Sequence, residues 1–217
     1  MMQRQASDHS ASCLSENGNQ ANYAQFFDKV ELANMLFGDD GLRMAIPQAV
    51  GRLIAQRLPG EEITELCCGV GSLSIALALE GKRLTALDTC PEKIRLAKVN
   101  AQNFGVSKQI NFLQQDCRSY QQLDPHHTII CDPPWGGSAR RFSTFRFSNF
   151  ELDVKSLLIS LVSSQPLVAL KLPFNFDFQE LKALPFAVRT TAYHHQAFLD
   201  HEEDSRRPLF WIAHCWK

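Results

Sequence analysis

The sequence predicts an α/β fold built on a mostly parallel sheet. Short apolar runs alternate with helical segments from residue 63 to residue 184. Such alternation requires right-handed crossovers, which leave neighbouring strands parallel. Successive runs end at or just before a carboxylate, at Asp88, Asp116 and Asp132, and ligands of open α/β sheets bind at the carboxyl ends of the strands. The last two apolar runs, separated by a polar link, read as a C-terminal antiparallel hairpin.

The elements follow in order. Residues 1–21 are rich in Ser, Asn, Gln and Ala and read as a disordered leader. A single domain is expected over 22–217, opening with a helical segment at 22–60. Phe26, Phe27, Val30, Leu32, Ala33, Leu36 and Phe37 recur at roughly helical spacing, and Gly38-Asp39-Asp40-Gly41 is expected to break that helix. A second helix starts near Pro47, which suits a first turn, and runs to Leu58. Strands are expected at 63–66, 83–87, 110–113, 128–131 and 168–172, with the hairpin at 186–193 and 209–216. Helices are expected at 72–80, 91–103, 152–162 and 178–184, with Gly105 as a C-terminal stop.

Composition narrows the function classes. The formal net charge of −1 excludes a global basic field, so contact with nucleic acid must come from a local patch. The seven cysteines form no C-x-x-C pair and read as reduced core thiols of a soluble intracellular protein, cytoplasmic or nuclear. No charged-then-apolar signal pattern appears in the sequence, and no apolar run reaches about 18 residues, so no signal or membrane segment is expected. His194, His195, His201, Glu202, Glu203 and Asp204 match no zinc spacing, and no metal is expected. A monomer is expected.

Two stretches carry chemistry. Thr128-Ile129-Ile130-Cys131 is a buried strand that stops at Asp132-Pro133-Pro134-Trp135-Gly136-Gly137. The prolines fix the exit direction and the glycines allow a sharp turn, which holds a flat aromatic beside an acid at a strand end. This suits methylation of a planar exocyclic amine. The lone pair of such a nitrogen is delocalised into its ring, so a carboxylate and a rigid carbonyl must accept its N–H bonds and turn the lone pair outward. Asp132 and the Pro133 carbonyl would orient the amine, and Trp135 would stack on the ring. Arg140, Arg141 and Arg146, with Phe142, Phe145 and Phe147 interleaved, suit phosphate contacts and base stacking or, alternatively, solvated charge over core phenylalanines.

The second stretch is Glu65-Leu66-Cys67-Cys68-Gly69-Val70-Gly71, between a strand and a helix. Gly69 and Gly71 permit close backbone approach to a ligand, and Asp88, 17 residues past Gly71, suits the ribose hydroxyls of a nucleotide-like cofactor. Asp116 suits an adenine amino group. A dinucleotide site is the competitor, but the third glycine of its G-x-G-x-x-G pattern is Ser74 here.

Asp132-Pro133-Pro134-Trp135 resembles the signature of amino-methyltransferases that use S-adenosylmethionine. The longer Pro-Pro-Trp-Gly-Gly and the Cys-Gly-Val-Gly loop resemble the trimethylguanosine synthase family, as do Leu87-Asp88, Pro91, Lys93-Ile94, Asn100, Gly105 and Phe37-Gly38-Asp39-Asp40-Gly41-Leu42. The resemblance implies a class I methyltransferase (Rossmann-like) fold and S-adenosylmethionine as methyl donor, held by the Glu65–Gly71 loop with Cys67, by Asp88 and by Asp116. Pro47-Gln48 stands for the family's Thr-Pro-Glu and implies a place for Pro47 near the methionine end of the donor. Leu172-Pro173-Phe174-Asn175 resembles its Leu-Pro-x-Asn element and implies a substrate contact for Asn175. The implied substrate is RNA, methylated at guanine N2. Asp132 replaces a Ser common in the eukaryotic cap enzymes. Adenine N6, a protein side chain, or a non-catalytic RNA-binding role on the same fold are the alternatives.

Overall fold

The computed structural model describes residues 24, 26–120, 124, 126–194 and 208–217. The leader at 1–21 and most of the polar link that carries the candidate metal residues lie outside the described residues.

Seven strands form one sheet: β1 (Glu62–Leu66), β2 (Arg83–Asp88), β3 (Ile110–Gln114), β4 (Thr128–Cys131), β5 (Val168–Pro173), β6 (Ala187–Tyr193) and β7 (Phe210–Trp216). Their spatial order is β3-β2-β1-β4-β5-β7-β6. The first five are parallel, β7 runs antiparallel to β5, and β6 closes the sheet antiparallel to β7. The predicted alternation and terminal hairpin are both present, with strand ends shifted by at most one residue.

Successive side chains of a strand point to opposite faces, and the central strands are buried on both. On one face Ile130 and Ala169 pack with α3 (Gln48–Ala55), α4 (Ser72–Leu79) and α5 (Pro91–Asn103). On the other, Ile129, Cys131, Val168 and Leu170 pack with α6 (Val154–Ser164) and a phenylalanine cluster. The close approach of α3 to α4 depends on a missing side chain: a Cβ on Gly51 would lie 2.3 Å from the Ala76 Cβ.

The N-terminal segment departs from expectation. A short helix α1 (Lys29–Asn34) is followed by an extended stretch, and a new helix α2 (Gly38–Met44) begins where a break was predicted. The cause is Asn100 on α5. Its Oδ1 accepts from the Leu36 amide at 2.7 Å, and its Nδ2 donates to the Leu36 and Val70 carbonyls, each at 2.9 Å. With both Leu36 backbone groups bound elsewhere, the helix cannot continue through that residue. Pro47 precedes α3 as its N-cap. Glu31 ties this segment together: it forms a capping box with Asp28 and accepts from the Gln48 amide at 2.5 Å. Burial raises its carboxyl pKa.

The segment therefore docks on the glycine loop rather than beside it. Ser72, at the start of α4, accepts from the Ile46 amide at 2.9 Å, and Asn100 bridges Leu36 to Val70.

Candidate active site

A cleft of about 330 Å³ opens at the carboxyl ends of β1, β2 and β4 and is roofed by α2. Glu65 lines it from the end of β1, Cys67 and Gly69 from the loop that follows, Asp88 from the second strand end, Asp116 from beyond the third and Asp132 from the fourth. Residues singled out in the sequence at four strand ends thus line one contiguous cleft.

The glycine loop is shaped by unusual backbone. Gly69 and Gly71 have φ of 57° and 82°, and Cys67, which has a side chain, has φ 65°. The left-handed region is costly for a non-glycine residue and occurs at ligand clamps. A Cβ at Gly71 would press on Ala97 at 3.1 Å and on Phe112 at 3.2 Å, whereas a Cβ at Gly69 would meet nothing within 4 Å. Gly71 serves packing; Gly69 leaves open space in the cleft wall. That space, the adjoining Asp88 carboxylate and the cleft's size fit the nucleoside end of S-adenosylmethionine.

Asp88 is not idle in the free protein. Its Oδ2 accepts from the Gly69 amide and its Oδ1 from the Cys90 amide, both at 2.9 Å. Each oxygen keeps a second lone pair for a hydroxyl. Asp116 is held by Arg118, whose Nη2 donates at 2.5 Å and whose backbone amide donates at 2.8 Å. The Arg118 guanidinium holds its carboxyl below the usual range. Glu65 is 1% exposed and receives a hydrogen bond from the Ser74 hydroxyl. Burial pushes its carboxyl up to about 8. The Cys67 and Cys117 sulfurs lie 3.9 Å apart, and burial pushes the Cys68 thiol up, so these groups are neutral packing thiols rather than nucleophiles.

At the fourth strand end, Asp132 meets a residue the sequence reading did not single out. Lys171 on β5 places its Nζ 2.7 Å from Asp132 Oδ2, with side-chain exposures of 8% and 16%. Burial raises the Asp132 carboxyl, and Lys171 and then Lys93 oppose that rise. The Lys171 ammonium also stands 5.1 Å from the centre of the Trp135 ring and 4.9 Å from that of Phe210. The pairing follows from register. Cys131 lies opposite Leu170 in the parallel pair, so the next residues, Asp132 and Lys171, are neighbours at the strand ends.

Several expected site residues sit elsewhere. Pro47 does not line the cleft; Gly41, Met44 and Ala45 of the α2 region do. Pro133 is buried, while Pro134 reaches the cleft. Trp135 is not an open platform. Its ring is half-buried against both apolar layers, and its indole Nε1 is buried without a hydrogen-bond partner among the described residues. Asn175 acts as a clamp: its Nδ2 donates to the carbonyls of Ala139 at 3.1 Å and Phe142 at 2.7 Å, fixing the segment after the Trp turn.

The aromatic half of the expected patch is core. Phe145 is fully buried and Phe147 is 6% exposed, and both pack edge-on against neighbouring phenylalanines. Arg146 pairs with Asp177 at 3.3 Å. Arg140 and Arg141 are exposed, with Arg141 over the Phe142 ring at 5.8 Å. Among the described residues, no group of three or more His, Cys, Asp or Glu is placed to hold a metal ion, and no helix is long and apolar enough to cross a membrane.

Yeast (Saccharomyces cerevisiae) trimethylguanosine synthase is 24% identical over 177 residues, 74% of this chain and 55% of that protein. A human tRNA (uracil-5-)-methyltransferase homolog is 32% identical over 92 residues, 38% of this chain and 14% of that protein. The chain thus spans little more than half of the first relative and a small part of the second. Among solved structures, magnesium protoporphyrin IX methyltransferase from Synechocystis, with bound S-adenosylmethionine, superposes with a TM-score of 0.56 at 16% identity, covering 99% of this chain and all of that one. The tRNA (uracil-54, C5)-methyltransferase of Pyrococcus abyssi gives 0.53 at 18% identity, covering 84% of this chain and 40% of that one. These likenesses establish the class I methyltransferase fold. The family model described as RNA cap guanine-N2 methyltransferase matches residues 60–205, which span β1 to β6 and every strand end of the cleft. On that match, which covers well over half of its residues, the chain belongs to the RNA cap guanine-N2 methyltransferase family.

Proposed function

We propose that this protein transfers a methyl group from S-adenosylmethionine to the exocyclic N2 amine of guanine in RNA. The observation that carries this reading is that Asp132 lines the same cleft as Gly69 and Asp88. An acceptor carboxylate and a nucleoside-sized donor subsite therefore share one space, as methyl transfer requires.

S-adenosylmethionine, when bound, supplies an electrophilic methyl on a sulfonium. The protein's part is to bind, orient and exclude water. Gly69 lets backbone approach the donor, Asp88 accepts from its ribose hydroxyls, and Asp116 exchanges part of its contact with Arg118 for the adenine amine. Asp132 accepts an N–H bond of the acceptor amine and so helps turn its lone pair toward the cleft. Asp132 Oδ1 has no hydrogen-bond partner among the described residues and can take the proton the alkylated nitrogen sheds. Arg140 and Arg141, exposed after the Trp turn, suit phosphates flanking the target base, whereas Arg146, also exposed, is engaged by Asp177.

The test is direct. RNA incubated with the protein and methyl-labelled donor is digested to nucleosides, and the modified one is identified by mass spectrometry. N2-methylguanosine is expected. N6-methyladenosine as the only product, or label confined to protein, would replace this reading.

A further inference from the structure

Among the buried groups that the proposed reaction leaves unused is the Lys171 ammonium. A lysine 7% exposed in a central strand is unusual, and strands buried on both faces are ordinarily apolar. Here the ammonium meets a carboxylate at 2.7 Å and two aromatic faces at about 5 Å. A buried carboxylate without a counter-charge takes up a proton and becomes a hydrogen-bond donor; with one, it stays acceptor-only.

We infer that Lys171 is a positioning residue that keeps Asp132 acceptor-only, and that Asp132 thereby selects guanine by its paired N1–H and N2–H donors. This rests on the proposed guanine N2 reading and extends it to how the base is chosen.

The chemistry is specific. Guanine presents two donors side by side, N1–H and N2–H, and a carboxylate's two oxygens receive them as a fork. Oδ1 is without a protein partner among the described residues, and Oδ2 keeps a lone pair beyond its bond to Lys171. Adenine and cytosine present an amine beside a bare ring nitrogen, whose lone pair would face the carboxylate. A serine hydroxyl at this position could donate or accept and would make no such distinction. The second N2–H lies on the side away from the fork, and the nitrogen lone pair, perpendicular to the ring plane, still turns to the cleft.

The charged groups facing Asp132 come from three elements: Glu65 on β1, Lys93 on α5 and Lys171 on β5. Of these, only Lys171 is in hydrogen-bond contact with it. Glu65, whose burial favours its neutral form, adds little repulsion near neutrality.

The experiment compares otherwise identical RNAs carrying guanine or 2-aminopurine at the target, since 2-aminopurine keeps the N2 amine but has no N1–H. Single-turnover methylation is measured for the wild type and for Asp132→Asn, Lys171→Met and Lys171→Arg, from pH 6 to pH 9. The wild type should prefer guanine by about 10- to 150-fold, the value of one charge-assisted hydrogen bond. In Asp132→Asn the amide can donate to the bare N1, so the guanine/2-aminopurine ratio should collapse toward unity even though both rates fall. Taking the ratio between variants cancels the intrinsic difference in amine reactivity. In Lys171→Met the preference should be weak at pH 6 and grow as the pH rises and Asp132 ionises. In Lys171→Arg it should stay high throughout. If Lys171→Met does not fold, the wild-type and Asp132→Asn ratios still decide whether the carboxylate reads N1–H. Equal rates on the two bases in the wild type, or an unchanged ratio in Asp132→Asn, would overturn the inference while leaving guanine N2 as the product. Absence of any N2 methylation would instead defeat the proposed function. A pH-independent, full guanine preference in Lys171→Met would reduce Lys171 to a packing residue.

Discussion

The Asp88 Oδ2 accepts a hydrogen bond from the Gly69 amide at 2.9 Å, so the acid at the end of β2 also braces the glycine turn on β1. The donor loop and its expected ribose acceptor are therefore one unit. With Cys90 held by the other oxygen, the carboxylate fixes the start of α5 as well.

Asp88→Ala should consequently do two things. Donor affinity should fall by roughly 1.5–3 kcal/mol as a charge-assisted hydrogen bond is lost. The melting temperature should also fall, because two backbone amides lose their acceptor. Asp88→Asn keeps one acceptor oxygen and should recover part of both. Isothermal titration with S-adenosylmethionine, alongside thermal melting, checks this. Unchanged affinity in the Ala variant would remove Asp88 from the donor site.

Glu65 makes a pH prediction with a definite sign. Burial raises its carboxyl from 4.5 to about 8, so the folded state binds a proton that the unfolded chain releases. Stability should therefore be highest below pH 4.5 with respect to this group, and be lost as pH rises toward 8. Glu65→Gln cannot ionise and should flatten that slope, melting above the wild type at pH 8–9. Melting curves taken at intervals from pH 5 to pH 9 test it. Parallel curves for the two proteins would mean that Glu65 is ionised in the folded state.

The basic patch now divides. Arg140, Arg141 and Arg146 are all exposed, but Arg146 is paired with Asp177. If the first two hold phosphates, changing both to Ala should lower the salt slope of single-stranded RNA binding by about 1.4, at about 0.7 per contact. Arg146→Ala should leave the slope almost unchanged. Filter binding across a range of salt concentrations measures both, and an equal slope in the double variant and the wild type would return these arginines to ordinary surface.

The strands and their acidic ends were legible because each is a short β-branched or apolar run closed by a residue that cannot be buried unpaired. The cleft followed, since strand alternation alone brings those ends together. The break between α1 and α2 was not legible. It is imposed by Asn100, 64 residues from Leu36, and local propensity gives no sign of so distant a competitor. The same holds for Asn175, whose role as a clamp depends on carbonyls more than 30 residues away. Lys171 was accessible in principle. A lysine inside Val168-Ala169-Leu170-Lys171-Leu172 is an anomaly in a buried strand. Placing β5 beside β4 in parallel register would have set it next to Asp132. The phenylalanines after the Trp turn misled because basic and aromatic residues interleave there in sequence but separate in space, the rings inward and the cations outward.

Trp135 gives the last test, because its packing and its unpartnered indole N–H pull in different directions. Its ring touches both apolar layers and covers Lys171, yet its indole N–H is buried without a partner among the described residues. Such an orphan donor costs about 1–3 kcal/mol. Trp135→Phe removes that cost and keeps a π face for Lys171 and for a base, so its melting temperature should stay within a few degrees of the wild type and most activity should survive. Trp135→Ala loses the packing and the face together. For a half-buried ring the stability loss should be about 2 kcal/mol, below the value for a fully buried tryptophan. In a domain of this size that lowers the melting temperature by about 4–8 °C. Catalytic efficiency should fall about 5- to 150-fold if the ring stacks on the target base, with donor affinity nearly unchanged. Melting, donor titration and methyl transfer should be measured on the same preparations. A lowered melting temperature with full catalytic efficiency in the folded fraction would make Trp135 a packing residue and leave Asp132 to hold the base without it.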